Sequence, residues 1–89
     1  MIDKQKKEAE VLEKVKELIK KDPTISIRCS RYEEQEIMRD DSLKDVIVVS
    51  LSDDLYGKSF YVYADAETLD LLYVQGPHRY IEITDFFEL

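Results

Sequence analysis

The pattern of apolar residues between positions 46 and 83 predicts a β-sheet around which the rest of the chain is organised. Residues 46–52 form a continuous run rich in β-branched side chains, which is typical of a central strand. Short strands that follow one another through tight turns predict an antiparallel meander. Further strands are predicted at residues 59–64, 69–74 and 79–84, with turn chemistry at 53–58, 65–68 and 75–78, so that the meander spans residues 46–84.

Residues 4–21 follow the period of an amphipathic α-helix instead. Asp3 stands where it could cap the N-terminus of this helix, and residues 1–3 are expected to fray. Asp22 precedes Pro23, and the residue before a proline is disfavoured in the helical region, which ends the helix. The apolar stripe of the helix consists of Val11, Leu12, Val15, Leu18 and Ile19.

Between the helix and the meander, the pattern is clear in one part and ambiguous in the other. Residues 24–30 alternate between apolar and polar side chains, which predicts a half-buried strand at an edge of the sheet. Cys29 is in phase with Ile25 and Ile27 and is expected to be a small buried hydrophobe. Residues 31–45 form a variable segment that is either a turn or two of helix or an extension of the preceding strand into a hairpin.

These elements predict a single α+β domain over residues 1–89, in which the N-terminal helix packs on a four- to five-stranded antiparallel sheet and residues 85–89 form an apolar tail. A helix about 10 Å wide covers only two or three strands of one face. The face toward the helix is predicted to contain Ile47, Val49, Leu51, Phe60, Val62, Leu69, Leu71, Ile81 and Ile83.

The opposite face of the sheet, which we call the second face, is too apolar to be fully exposed. Three candidates could cover the second face: residues 32–38, the Phe86-Phe87 tail, or another molecule such as a second copy of the chain. Large exposed apolar patches mark interfaces, and tyrosine is favoured at binding surfaces. The second face is predicted to contain Val46, Val48, Tyr61, Tyr63, Leu72, Val74 and Tyr80, with Asp70 and Glu82 among them.

The charge of the chain bears on its partners. The formal net charge is −7, with +1 in residues 1–22 and −8 in residues 23–89. An acidic body repels phosphate backbones, so we expect no direct binding to nucleic acid. The negative charge serves either solubility alone or the binding of a basic protein partner, such as a nucleic-acid-binding protein. If residues 32–40 are helical, Glu33, Glu36 and Asp40 share a face. With Asp41, Asp53 and Asp54, they would form an acidic patch that stands in for phosphates.

No motif in the sequence indicates catalysis or a cofactor. Cys29 and His78 are the only thiol and the only imidazole, and zinc sites need more ligands of these types. The pairs Asp40-Asp41 and Asp53-Asp54 do not have the spacing of an EF-hand loop, and adjacent acids in loops are usually solvated turn residues. We therefore expect no enzymatic activity, no metal and no cofactor.

The sequence thus predicts a small acidic protein-interaction module that binds and blocks or bridges a partner, as an inhibitor, an immunity or anti-defence protein, or an accessory subunit. A homodimeric structural or assembly protein is the alternative, and a small enzyme is the least favoured. Without a signal-peptide pattern or an apolar run long enough for a membrane span, a cytoplasmic location in a prokaryote or phage host is expected. The predicted contacts are Tyr56, Tyr61, Tyr63, Tyr80, Glu33, Glu36, Asp40, Asp41, Asp53 and Asp54.

Overall fold

The computed structural model describes residues 2–89 and confirms an α+β fold, with helix α1 (Ile2–Ile19) packed on a five-stranded antiparallel sheet. The strands lie in the sheet in the order in which they follow one another along the chain, so the sheet is a meander. They are β1 (Ile25–Ile37), β2 (Leu43–Asp53), β3 (Lys58–Asp65), β4 (Leu71–Gln75) and β5 (Tyr80–Ile81), followed by the short helix α2 (Ile83–Phe86).

Helix α1 begins and ends about two residues earlier than predicted. Asp3 lies in its first turn and is not its N-cap, while Met1 lies outside the described residues. At the other end, the backbone N–H of Asp22 donates to the carbonyl of Ile19 over 3.0 Å, and the Asp22 carboxylate accepts the N–H of Thr24 over 3.1 Å. These bonds form the turn that leads into β1. No helix within residues 2–89 is long and apolar enough to cross a membrane.

The variable segment is mostly strand, because β1 continues to Ile37 and pairs with β2 as a hairpin. The helical interpretation of residues 32–40 is therefore wrong, and Glu33, Glu36 and Asp40 do not share a helical face. The predicted edge position is confirmed, since within residues 2–89 β1 has only β2 beside it in the sheet order. β2 lies between β1 and β3, as expected for the most apolar strand.

A β-bulge in β1 between Ile27 and Cys29 changes the face toward which the following side chains point. Ile27 packs on the core beneath α1, but beyond the bulge it is Tyr32 that packs there. The Ser30 hydroxyl, also beyond the bulge, donates to the Glu8 carboxylate of α1 over 3.0 Å. Cys29 is exposed, so its predicted burial is wrong.

The core lies between α1 and the sheet, around the buried side chains of Val11 and Val15. All nine residues predicted for the face toward the helix belong to this core or pack against it. Val74 also belongs to it, although it was predicted on the second face. A register shift between Tyr63 and Ala64 against β4 explains the error, because it places Tyr73 on the second face and turns Val74 toward α1.

The C-terminal segment forms a shorter strand than predicted and then a helical turn. The strand predicted at 79–84 ends at Ile81, and the chain then forms the single turn of α2. The Phe86 ring lies 5.0 Å from that of Phe60, and Phe87 is buried in the core beneath α1. The Phe86-Phe87 tail therefore closes the helix side of the sheet and does not cover the second face.

Candidate protein-interaction site

The predicted contact residues lie in three separate places. Tyr61, Tyr63 and Tyr80 belong to strands whose side chains line the second face. Asp53, Asp54 and Tyr56 lie at the β2–β3 turn, where the Asp53 carboxylate accepts the backbone N–H of Leu55 over 3.0 Å. The remaining four, Glu33, Glu36, Asp40 and Asp41, lie on the end of the β1–β2 hairpin.

Much of the second face is covered by the end of this same hairpin. Met38, the first residue after β1, is buried against Val46, Val48, Tyr63 and Tyr73. Tyr63 is only 9% exposed as a result. Of the three candidates for covering the second face, residues 32–38 therefore do so in part, through Met38. Tyr63 lies beneath this cover and is not available as a surface contact.

Arg39 links the end of the β1–β2 hairpin to the opposite edge of the sheet, next to β5. Its guanidinium lies over the Tyr73 ring at 4.8 Å and donates to the Glu82 carboxylate, just after β5, over 2.7 Å. Its backbone N–H donates to the Tyr73 hydroxyl over 3.3 Å, and that hydroxyl donates to the sulfur of Met38 over 3.8 Å. The Arg39 guanidinium holds the pKa of Glu82 below its usual value.

Tyr73 is the central aromatic residue of this face, and the sequence pattern missed it. Its ring stacks on Tyr63 at 5.1 Å and meets Tyr80 edge to face at 5.1 Å. Burial raises the pKa of both Tyr63 and Tyr73, so both hydroxyls are protonated near neutral pH. Tyr80 is exposed and Tyr61 is half-buried, so only these two tyrosines of the second face remain accessible.

The acidity of the protein is concentrated at one end, which we call the acidic end and define as residues 33–45 and 65–70. The two segments touch, because the backbone N–H of Ala66 donates to the carbonyl of Asp45 over 3.1 Å. The two segments contain nine acidic and two basic residues, for a formal charge of −7. Helix α1 brings two further cations against them, because Lys4 pairs with Glu34 and the Lys14 ammonium donates to the carbonyl of Leu69 over 2.6 Å. An excess of five negative charges remains at this end.

Several carboxylates of the acidic end hold the turns in place. Asp40 accepts the hydroxyl of Ser42 over 2.6 Å and its backbone N–H over 3.0 Å. Asp65 accepts the N–H of Glu67 over 2.7 Å and pairs with Lys44 over 3.0 Å. These hydrogen bonds lower the pKa of Asp40 and of Asp65, so both groups are ionised at neutral pH.

Exposed apolar side chains stand among these charges. Ile37 and Leu43 are direct partners in the β1–β2 pairing and are 65% and 57% exposed. Beside them, a shallow cleft of about 260 Å³ is lined in part by Leu43, Asp45 and Glu67. An apolar centre within a charged rim is the usual anatomy of a protein–protein interface.

Asp65 should make the stability of the protein sensitive to acid. The pKa of Asp65 is lower in the folded state than the value of about 3.9 in an unfolded chain. Its contribution to the free energy of unfolding is therefore complete above about pH 4 and is lost as the pH falls through the folded-state pKa. We expect Asp65→Asn to lower the free energy of unfolding by about 1 kcal/mol at pH 7. Urea unfolding at several pH values should show the difference from wild type shrinking below pH 4, whereas a constant difference would contradict this role.

The part of the chain that the structure describes contains no group of three or more His, Cys, Asp or Glu side chains able to hold a metal ion. No protein-family model matches the sequence, and neither a curated protein nor a solved structure matches it either. The function must therefore be inferred from the surfaces of the molecule itself.

Proposed function

We propose that the protein is a small interaction module that binds a basic partner protein through its acidic end and thereby blocks or bridges that partner. The observation that carries this proposal is the clustering of nine of the twenty acidic residues in two touching segments, one of which contains the exposed Ile37–Leu43 pair. A solubility role alone would be served by charge spread over the surface, with both signs interspersed. Cytoplasmic inhibition or assembly, including blocking of a nucleic-acid-binding protein, fits this mode of action.

The two features of the acidic end have different physical roles in such a complex. The concentrated charge attracts a basic surface over several ångströms and speeds encounter, an effect that salt weakens. The apolar pair supplies contacts that lose water on binding, where binding energy is concentrated. A partner surface rich in Arg and Lys around an apolar side chain would complement both features, and Arg–carboxylate contacts would add directional hydrogen bonds.

The experiment compares two variants that remove the same amount of charge from different places. Asp41→Asn, Glu67→Gln and Asp70→Asn together neutralise three exposed carboxylates of the acidic end. Asp41 has a φ of 69°, a conformation that asparagine tolerates well. The matched control, Glu10→Gln, Asp85→Asn and Glu88→Gln, neutralises three exposed carboxylates elsewhere.

Wild type, variant and control are immobilised and used to capture proteins from host extract at low and moderate salt. We expect one stoichiometric basic protein to bind wild type and control, and to bind the acidic-end variant at least about tenfold less, since each lost charge contact contributes a fraction of a kcal/mol to about 1 kcal/mol. Equal loss of binding in variant and control would show a general charge effect and would contradict recognition by the acidic end.

A further inference from the structure

Strand β1 presents an unpaired edge. Within residues 2–89 it has a hydrogen-bonded neighbour on one side only, and at 13 residues it is the longest strand of the sheet. The free N–H and C=O groups of an edge strand are a template for pairing with another strand. The side chains on the edge strand then determine which strand can pair with it, because residues directly opposite each other interact.

The charges along β1 are arranged so that the strand complements itself. Arg28 and Arg31 precede Tyr32 in this strand, and Glu33, Glu34 and Glu36 follow it. When two copies pair antiparallel about a two-fold axis normal to the sheet, one residue lies opposite its own copy. With Tyr32 at that position, Arg31 lies opposite Glu33 of the second copy and Arg28 opposite its Glu36.

The neighbouring registers are much less favourable. An axis at Arg31 or at Glu33 would place two like charges directly opposite each other, which is destabilising. An axis at Ser30 would leave Arg31 opposite Cys29. An axis at Arg31 would also pair opposite charges, Arg28 with Glu34, but only the axis at Tyr32 does so without placing two like charges opposite each other.

The structure of β1 agrees with an axis at Tyr32. Arg31 and Glu33 lie on the same face, opposite Val48 and Val46 of β2, and their side chains already form an ion pair of 2.6 Å. In the paired copies, these four charges would alternate in sign around the axis. The two register shifts of β1, between Ile27 and Cys29 and between Glu33 and Glu36, lie on opposite sides of Tyr32, so both halves of the strand contain one bulge.

We propose that β1 pairs antiparallel with β1 of a second copy of the chain about Tyr32, which joins the two sheets into one continuous sheet. The junction would also place the exposed Ile37 opposite Ile27 of the other copy. Because the strands run in opposite directions, the two acidic ends would lie at opposite ends of the joined sheet. The junction would occupy Ile37, Glu33 and Glu36 of each acidic end, so dimerisation would compete with the proposed partner for these residues. The existence of the dimer does not depend on the proposed function.

A charge-reversal cycle tests this pairing on the full chain. Arg31→Glu places two glutamates opposite each other at both symmetric contacts, and Glu33→Arg places two arginines opposite each other. We expect sedimentation velocity to show a reversible monomer–dimer equilibrium for wild type, weakened about tenfold or more by either single reversal and restored by the double exchange. Far-UV circular dichroism checks that each variant is folded, and Tyr80→Ser on the second face serves as the control that leaves dimerisation unchanged.

A second measurement tests the register itself. In a Cys29→Ser background, Arg31→Cys and Glu33→Cys proteins are mixed under mild oxidation, and mixed disulfides are expected in clear excess over either self-disulfide. The proposal is overturned if wild type stays monomeric up to high concentration, if the reversals leave its dimer unaffected, or if self-disulfides predominate. Loss of dimerisation in Tyr80→Ser alone would assign the contact to the second face and would equally overturn it.

Discussion

Replacing Leu51 by alanine is expected to lower the free energy of unfolding by about 3 kcal/mol, within the range of roughly 2–5 kcal/mol for buried leucines. Leu51 is completely buried on β2, where it pairs with Ile27 of β1 and with Phe60 of β3. Hydrogen bonds on both sides hold β2 in place, so the strands cannot close in on the space that the lost side chain leaves. Such a loss is a large fraction of the roughly 5–15 kcal/mol that stabilises an ordinary domain.

Leu55 offers a matched control for this substitution. It lies four residues further along the chain, in the β2–β3 turn, and is 65% exposed. Leu55→Ala should change the free energy of unfolding by no more than about 0.5 kcal/mol. Urea unfolding followed by circular dichroism measures both variants, and similar losses in the two would show that Leu51 does not lie in the main core.

The helix-side core could be predicted because it depends only on local period. Ile47, Val49 and Leu51 alternate along one strand, and an uninterrupted strand must place alternate residues on the same face. The stripe of Val11 and Val15 on α1 follows from the helical period in the same way. The elements that supply most of this core contain no bulge in their apolar stretches, so the sequence period correctly predicted which side chains pack in the core.

Two residues were assigned to the wrong face because one extra residue changes the period of the strand. Cys29 and Val74 both follow a bulge and both lie on the face opposite to the one predicted. Bulges often contain a glycine, but Arg28 and Leu72, which occupy these two places, have no such signature. Only the pairing of whole strands shows where the extra residue is accommodated.

The candidate site depends even more on contacts between distant parts of the chain. Arg39 and Glu82 are 43 residues apart in sequence, and neither belongs to a recognisable motif. The acidic residues were visible as a composition, but their concentration at one end is evident only when residues 33–45 and 65–70 are placed side by side. Local patterns do not contain that information.

Replacing Tyr73 by alanine is expected to lower the free energy of unfolding by about 3–4 kcal/mol, as for other buried aromatic side chains. The substitution removes the ring that stacks on Tyr63 and carries the Arg39 guanidinium, and it leaves Met38 beside a cavity. Tyr56→Ala is the control, because Tyr56 is 72% exposed in the β2–β3 turn. Its loss should cost about 0.5 kcal/mol or less.

Tyr73→Phe separates the ring from the hydroxyl. The hydroxyl accepts the Arg39 N–H in a long, part-buried hydrogen bond of 3.3 Å, so removing the hydroxyl should lower the free energy of unfolding by only about 0.5–1 kcal/mol. Hydrogen exchange gives a local readout: the Met38 N–H, bonded to the Ser42 carbonyl over 2.8 Å, should exchange much faster in Tyr73→Ala than in Tyr73→Phe. If Tyr73→Ala costs no more than Tyr56→Ala, or if exchange at Met38 is unchanged, the hairpin end does not hold the second face closed, and that face becomes available to a partner after all.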